Sequence, residues 1–212
     1  MKFYGYYRSS SSYRCRIALN LKGLHPEAVA VNLRDGQQNA PDFRRLNPQG
    51  LVPALETDAG VLTQSLAIIE WLDETHPSPA LLPADAMGRA HVRAFALTIA
   101  CEIHPLHNLS VLNHIKQNYG VDQAGADAWC RTWIGKGLTA CEAIAASQTH
   151  GGAFTFGDTP GLADICLVPQ MFAAERFELD LTPFPRLCQI RATCEALPAF
   201  ADAHPARQPD AV

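Results

Sequence analysis

Three prolines fall within seven residues at Pro77-Ser78-Pro79-Ala80-Leu81-Leu82-Pro83, and strand-like patterning stops there. Proline fixes φ near one value and has no N–H to give, so a run this dense favours an extended connection over helix or strand. From about Ala84 onward the sequence carries long alanine- and leucine-rich stretches, interrupted near Asn118-Tyr119-Gly120, His150-Gly151-Gly152 and Thr182-Pro183-Phe184-Pro185. The expected organisation is an α/β domain over residues 1–77, a linker over 78–83 and an all-helical domain over 84–212.

The first domain reads as βαβαββα. Lys2-Phe3-Tyr4-Gly5-Tyr6 is an aromatic-rich strand, and Tyr13, Ile17 and Leu21 recur every four residues as a buried helical face does, up to a stop at Lys22-Gly23. Glu27-Ala28-Val29-Ala30-Val31 is the next strand, followed by a polar loop from Asn32 to Gln38 and a short helix, Pro41-Asp42-Phe43-Arg44-Arg45-Leu46, opened by proline. Asn47-Pro48-Gln49-Gly50 is a turn by its dipeptides. Val52-Pro53-Ala54-Leu55-Glu56 and Gly60-Val61-Leu62-Thr63 form a hairpin with Pro53 at a strand end, since proline cannot donate to a ladder. A helix with Leu66, Ile69 and Leu72 on one side follows, with Ser65 as its expected N-cap and its end before Pro77.

At 212 residues with 48% hydrophobic and 18% charged, the chain has enough apolar sequence to bury a core. A formal charge of −4 argues against bulk nucleic-acid or anionic-membrane binding, which needs a basic surface. With no apolar run near the roughly 18 residues of a membrane span, and no signal-peptide pattern, a soluble cytoplasmic protein is expected. The seven cysteines, an odd number without a CxxC pair, fit reduced thiols that pack as small hydrophobes.

The stretch Tyr7-Arg8-Ser9-Ser10-Ser11-Ser12-Tyr13-Arg14-Cys15-Arg16 places four hydroxyls at a helix start. Helix N-termini expose unpaired N–H groups and the positive end of the macrodipole, so this is a site for an anion. A single serine acting as an ordinary N-cap accounts for part of the same pattern.

The run from Arg8 to Leu19 resembles the signature of zeta-class glutathione transferases, S-S-C-x-[WH]-R-V-R-I-A-L. Further blocks agree in order: Asn47-Pro48 with Val52-Pro53, Gln64 to Glu70, Pro105-Leu106 with Asn108 to Leu112, Ala174-Glu175-Arg176-Phe177, and His204-Pro205 with Arg207-Gln208-Pro209. The resemblance implies a thioredoxin-like N-terminal domain, an all-α C-terminal domain, glutathione as the thiol cofactor and a homodimer. Within that class the similarity is to glutathione-dependent cis–trans isomerases that turn a maleyl into a fumaryl group. Maleylpyruvate is the expected substrate, maleylacetoacetate the alternative, and general conjugation of electrophiles a further one. Turning the alkene requires a thiolate that adds, lets the bond rotate while it is single, and leaves.

Carried over by position, Ser9, Ser10 and Ser11 face the glutathione sulfur. Gln38 and Gln49 lie along the tripeptide, Val52 offers its backbone ahead of a proline that is cis in the family, and Gln64 and Ser65 hold the γ-glutamyl end. His104, Asn108, Leu109 and Ser110 line the site from the helical domain, and Arg8 and Arg176 take the two carboxylates of the diacid. Two departures stand out: Ser11 replaces the cysteine of S-S-C, and Gly161-Leu162-Ala163-Asp164 has glycine where a helix-capping box has Ser or Thr. No metal is expected. His104-Pro105-Leu106-His107, with His114 and Glu102 nearby, is the competing metal pattern, but proline interrupts the pair.

Overall fold

The computed structural model describes residues 1–148 and 152–211. The chain divides into two compact units, Met1–Leu81 with Ala196–Val212, and Leu82–Glu195.

In the first unit, β1 (Lys2–Gly5), α1 (Ser10–Leu21), β2 (Glu27–Ala30), α2 (Pro41–Leu46), β3 (Ala54–Thr57), β4 (Gly60–Thr63) and α3 (Ser65–Thr75) follow in the expected order. The sheet runs β2-β1-β3-β4, with β2 parallel to β1 and the other two pairings antiparallel. Phe3 pairs with both Ala28 and Leu55, and Leu55 with Leu62, so alternate residues of the central strands share one face. Phe3 and Leu55 are buried there, as are Tyr13 and Ile17 of α1 and Ile68, Ile69 and Leu72 of α3. This is the mixed sheet and helical cover of a thioredoxin-like domain.

Ser65 is not the cap of α3. Gln64 takes that position with φ 67° and ψ 119°, and Ser65 is the first helical residue. The reason is a competing demand on the hydroxyl: Ser65 Oγ accepts from Arg14 Nε at 3.1 Å and so faces α1 instead of its own helix start.

Residues 196–212 group with the α/β unit, whereas the expected boundary assigns them to the helical domain. Asn20 Nδ2 donates to Ala199 O, Arg16 Nε donates to Ala203 O, and Ala211 packs on the cluster of Tyr6, Tyr7, Val31, Phe43 and Val52. The partners of this segment are long polar side chains of α1, which a scan for apolar periodicity passes over.

The second unit is helical: α4 (Ala86–Leu97), α5 (Leu109–Tyr119), α6 (Gln123–Ala146), α7 (Leu162–Arg176) and α8 (Pro185–Glu195). Cys130, Ile134, Leu138, Cys141 and Ala145 bury one stripe of α6, and α7 is buried on nearly all sides from Leu162 to Ala174. Between α4 and α5 the chain runs as a π-helix (Thr98–Ile103) and a 3₁₀ turn (His104–His107). The bend brings the π-helix so close to α6 that a Cβ on Gly137 would stand 2.2 Å from Ile103 Cγ1, which explains glycine there. Asp164 accepts from Gly161 N at 2.9 Å and from both Thr155 N and Thr155 Oγ1, so the capping interaction survives without a hydroxyl at the cap. The break expected at His150 and Gly151 lies outside the described residues. Among the described residues no helix is long and apolar enough to cross a membrane.

Candidate functional site

Tyr6, Tyr7, Arg8 and Ser9 form a tight turn between β1 and α1, closed by Ser9 N donating to Tyr6 O at 3.0 Å. Ser9 is the N-cap of α1, with extended backbone and its Oγ accepting from Ser12 N at 3.2 Å. Its oxygen also lies 2.9 Å from Ser11 Oγ, and Ser11 Oγ donates to Val52 O at 2.9 Å. A hydroxyl has one proton, so with Ser11 donating to Val52 the proton between the serines is that of Ser9. The result is a relay from Ser9 through Ser11 to the Val52 carbonyl at the positive end of a helix. Ser10 is buried and Ser12 fully so, its Oγ accepting from Tyr6 N. Of the four hydroxyls, Ser12 is therefore occupied with the fold.

The Val52–Pro53 peptide is cis, as the family resemblance implies. Gln49 and Gln64 meet through Gln64 Nε2 and Gln49 Oε1 at 2.8 Å. Gln64 holds a positive φ outside the usual left-handed well, a conformation that L-residues adopt at a cost and that concentrates at functional sites. Gly50, with φ +65°, brings the turn after α2 against Gln38: a Cβ there would be 3.0 Å from the Gln38 carbonyl oxygen. Gln38 Oε1 is buried and meets no hydrogen-bond donor among the described residues. Arg8, half-buried and next to Ser9 in sequence, enters no salt bridge among the described residues.

In the helical unit, the His104 and His107 rings lie 5.3 Å apart, tilted by 52°, the His107 and Phe177 rings meet edge-on at 5.9 Å, and the Arg176 guanidinium stands 4.6 Å over Phe177. His107 is buried and its Nε2 lies 3.2 Å from Gln170 Oε1. Aromatic contacts thus run from His104 to Arg176, two of the residues expected at the site. Glu175, the acid next to Arg176, is taken by Arg191 at 2.7 Å. Asn108 is the N-cap residue of α5 without a side-chain capping bond, and Leu109 and Ser110 are exposed on its first turn. No group of three or more His, Cys, Asp or Glu able to hold a metal occurs among the described residues.

Sequence reasoning missed the roles of Arg14, Arg16 and Asp210. Arg14, 3% exposed, ties α1 to Ser65. Arg16 donates to three carbonyls, those of Ala203, Tyr6 and Tyr7. Burial pulls its pKa down to about 10, and the nearby Asp210 carboxylate opposes that. The available signal was two arginines flanking Cys15 between the apolar positions Tyr13 and Ile17 of α1.

The family model described as glutathione S-transferase, N-terminal domain, matches residues 8–75. The chain is 52% identical to maleylpyruvate isomerase from Ralstonia over 99% of each chain. It is 51% identical to maleylacetoacetate isomerase from Pseudomonas aeruginosa over 99% of this chain and 98% of that one. The holo structure of a maleylpyruvate isomerase, a bacterial zeta-class glutathione S-transferase, superposes with a TM-score of 0.99 at 51% identity over the whole of both chains. A maleylacetoacetate isomerase from Methylobacterium extorquens with bound malonate and glutathione superposes at 0.97 and 39% identity, again over both whole chains.

Proposed function

The chain belongs to the zeta-class glutathione transferase family, and we propose that it is a glutathione-dependent cis–trans isomerase converting maleylpyruvate to fumarylpyruvate. The observation that carries this reading is the hydroxyl relay from Ser9 through Ser11 to Val52 at the start of α1.

The residues present suit glutathione. Ser9 and Ser11 with the N–H groups of the first turn form a cradle for a thiolate, and the paired amides of Gln49 and Gln64 suit a peptide. Gln38 Oε1 is a buried acceptor in want of a donor, which a peptide N–H supplies. Val52 offers backbone next to its cis proline and Ser65 opens α3, and the family resemblance adds His104, Asn108, Leu109 and Ser110.

Bound glutathione supplies a thiolate that adds to the alkene and departs after the carbon–carbon bond has turned. The chain's part is to favour that anion. The Ser9 proton, now directed at Ser11, can turn to the sulfur while Ser11 keeps its bond to Val52. A hydrogen bond to a charged group is worth ~1.5–3 kcal/mol and a helix N-terminus up to ~2 kcal/mol. At about 1.4 kcal/mol per pKa unit, one to two units of lowering from a free thiol near ~8.5 follow. Arg8 and Arg176 bind the carboxylates of the substrate, each guanidinium offering two parallel N–H groups to a planar anion.

A cytoplasmic homodimer belongs to the same reading; all seven cysteines are free, as a reducing compartment keeps them. Maleylacetoacetate stands as the second substrate reading, because the two named relatives differ by a single per cent in identity and the alkene chemistry is shared. The test is to incubate the enzyme with each diacid, with and without glutathione. Fumarylpyruvate formed only with glutathione, and glutathione recovered unchanged, is the expected result. Faster turnover of maleylacetoacetate favours that substrate, and product retaining glutathione replaces isomerisation with conjugation.

A further inference from the structure

The turn that carries Arg8 and Ser9 is held from outside itself. Its closing bond is Ser9 N to Tyr6 O, and the Tyr7 N–H and the Tyr7 carbonyl both reach groups beyond the turn. Both partners are side chains from outside the turn. Tyr7 N donates to Asp210 Oδ2 at 2.9 Å, and Tyr7 O accepts from Arg16 Nη2 at 3.0 Å, while Arg16 Nη1 reaches Tyr6 O at 3.5 Å. The same guanidinium donates through Nε to Ala203 O at 3.0 Å, and Ala211 packs against the apolar cluster to which Tyr6 and Tyr7 belong. The segment after α8 is thus bound to the turn by a carboxylate, by a shared arginine and by an apolar contact.

Tyr6 and Tyr7 are buried and their backbone groups have little access to water, so a missing acceptor at Tyr7 N is not cheaply replaced by solvent. Arg8 and Ser9 follow directly in the chain, and a shift of the turn moves the Ser9 hydroxyl relative to Ser11 and Val52. Small displacements of groups aligned with a reacting atom cost rate steeply, up to ~100-fold for about 1 Å.

We propose that Asp210 is a positioning residue for the reaction: through the Tyr7 N–H it fixes the turn that presents Arg8 and Ser9, so the C-terminal segment is a working part of the thiol site. The proposal rests on the reading that Ser9 serves the glutathione sulfur.

The test compares Asp210→Ala, Asp210→Asn and Asp202→Ala in the full-length protein. Asp202 belongs to the same segment, but its exposed side chain pairs with Arg207 and not with a group of the turn, so it reports general loosening. Each variant is measured for kcat and KM, for glutathione affinity by calorimetry, for melting temperature, and for hydrogen exchange of the Tyr7 amide. Asp210→Ala is expected to lose roughly 10-fold or more in kcat/KM, within the reach of such displacements, and to exchange the Tyr7 amide at least about 10-fold faster, as an unprotected N–H does. Asp210→Asn keeps an acceptor oxygen and stays near wild type in both, and Asp202→Ala matches wild type. Wild-type kinetics in Asp210→Ala, or equal losses in Asp210→Ala and Asp202→Ala, overturn the proposal. So does an Asp210→Asn variant as impaired as the alanine one. If the wild-type protein neither binds glutathione nor isomerises the diacid, the functional reading fails instead; the Tyr7 exchange comparison still reports whether Asp210 holds the turn.

Discussion

Ser9 Oγ and Ser11 Oγ stand 2.9 Å apart at the start of α1, and Ser11 directs its only proton to Val52 O. Ser9 is therefore the hydroxyl whose proton can be redirected to an anion without undoing the link between α1 and the cis-proline segment.

Ser9→Ala is expected to lower kcat more than Ser10→Ala or Ser11→Ala, by about 10- to 150-fold for a hydrogen bond to a charged sulfur of ~1.5–3 kcal/mol. It also removes the N-cap, at about 1 kcal/mol of stability. Ser11→Ala leaves the Ser9 proton in place and frees Val52 O, so its effect is smaller. Steady-state kinetics beside thermal melts separate the two losses. Full activity in all three variants assigns the anion to backbone N–H groups alone.

Arg176 is exposed in the last turn of α7, its guanidinium over Phe177 and its neighbour Glu175 engaged by Arg191. Arg176→Lys keeps charge and loses the planar fork, so kcat/KM for the diacid is expected to fall roughly 10-fold or more, and further in Arg176→Ala. Arg8→Lys is expected to behave alike. Under the proposed reading these cations serve the substrate, so glutathione affinity is expected to stay unchanged. Varying glutathione and diacid separately checks this, and wild-type kcat/KM for the diacid removes either arginine from the mechanism.

Element order and the serine cap were legible because each rests on local signals: proline at the start of α2, glycine after α1 and α5, and hydroxyls at the head of α1. The pairings that hold the site were not. Arg14 to Ser65 spans 51 positions and Tyr7 to Asp210 spans 203, and no pattern along one segment specifies a partner that distant. Ser65 shows the consequence: its local chemistry reads as a cap, and a buried arginine from another helix claims it. Cys101 differs in the other direction, standing exposed where its apolar neighbourhood implies packing. The α4–α5 connection turns through a π-helix at that point, which changes the face its residues present.

Burial pushes the Cys130 thiol up to about 11 and Cys141 up to about 12, and raises Cys194 as well, from an ordinary value of 9.0. In the unfolded chain these thiols ionise first as pH climbs through about 9, so the unfolded state binds fewer protons and stability falls with pH from there up to about 12. Urea unfolding at neutral pH and near pH ~10 is expected to show this loss, and Cys141→Val to flatten it. In the native protein a thiol reagent labels Cys101 long before Cys141, and Cys101→Ser turns over normally. Rapid labelling of Cys141, or an unaltered alkaline slope in Cys141→Val, contradicts the burial account.

The most direct test is the pKa of glutathione bound to the protein, read from thiolate absorbance in the ultraviolet as pH is varied, with the Ser9→Ala complex alongside. The hydroxyl relay and the helix start predict a value at least about one unit below that of free glutathione, and a return toward the free value in Ser9→Ala. An unshifted thiol in the wild-type complex contradicts the account.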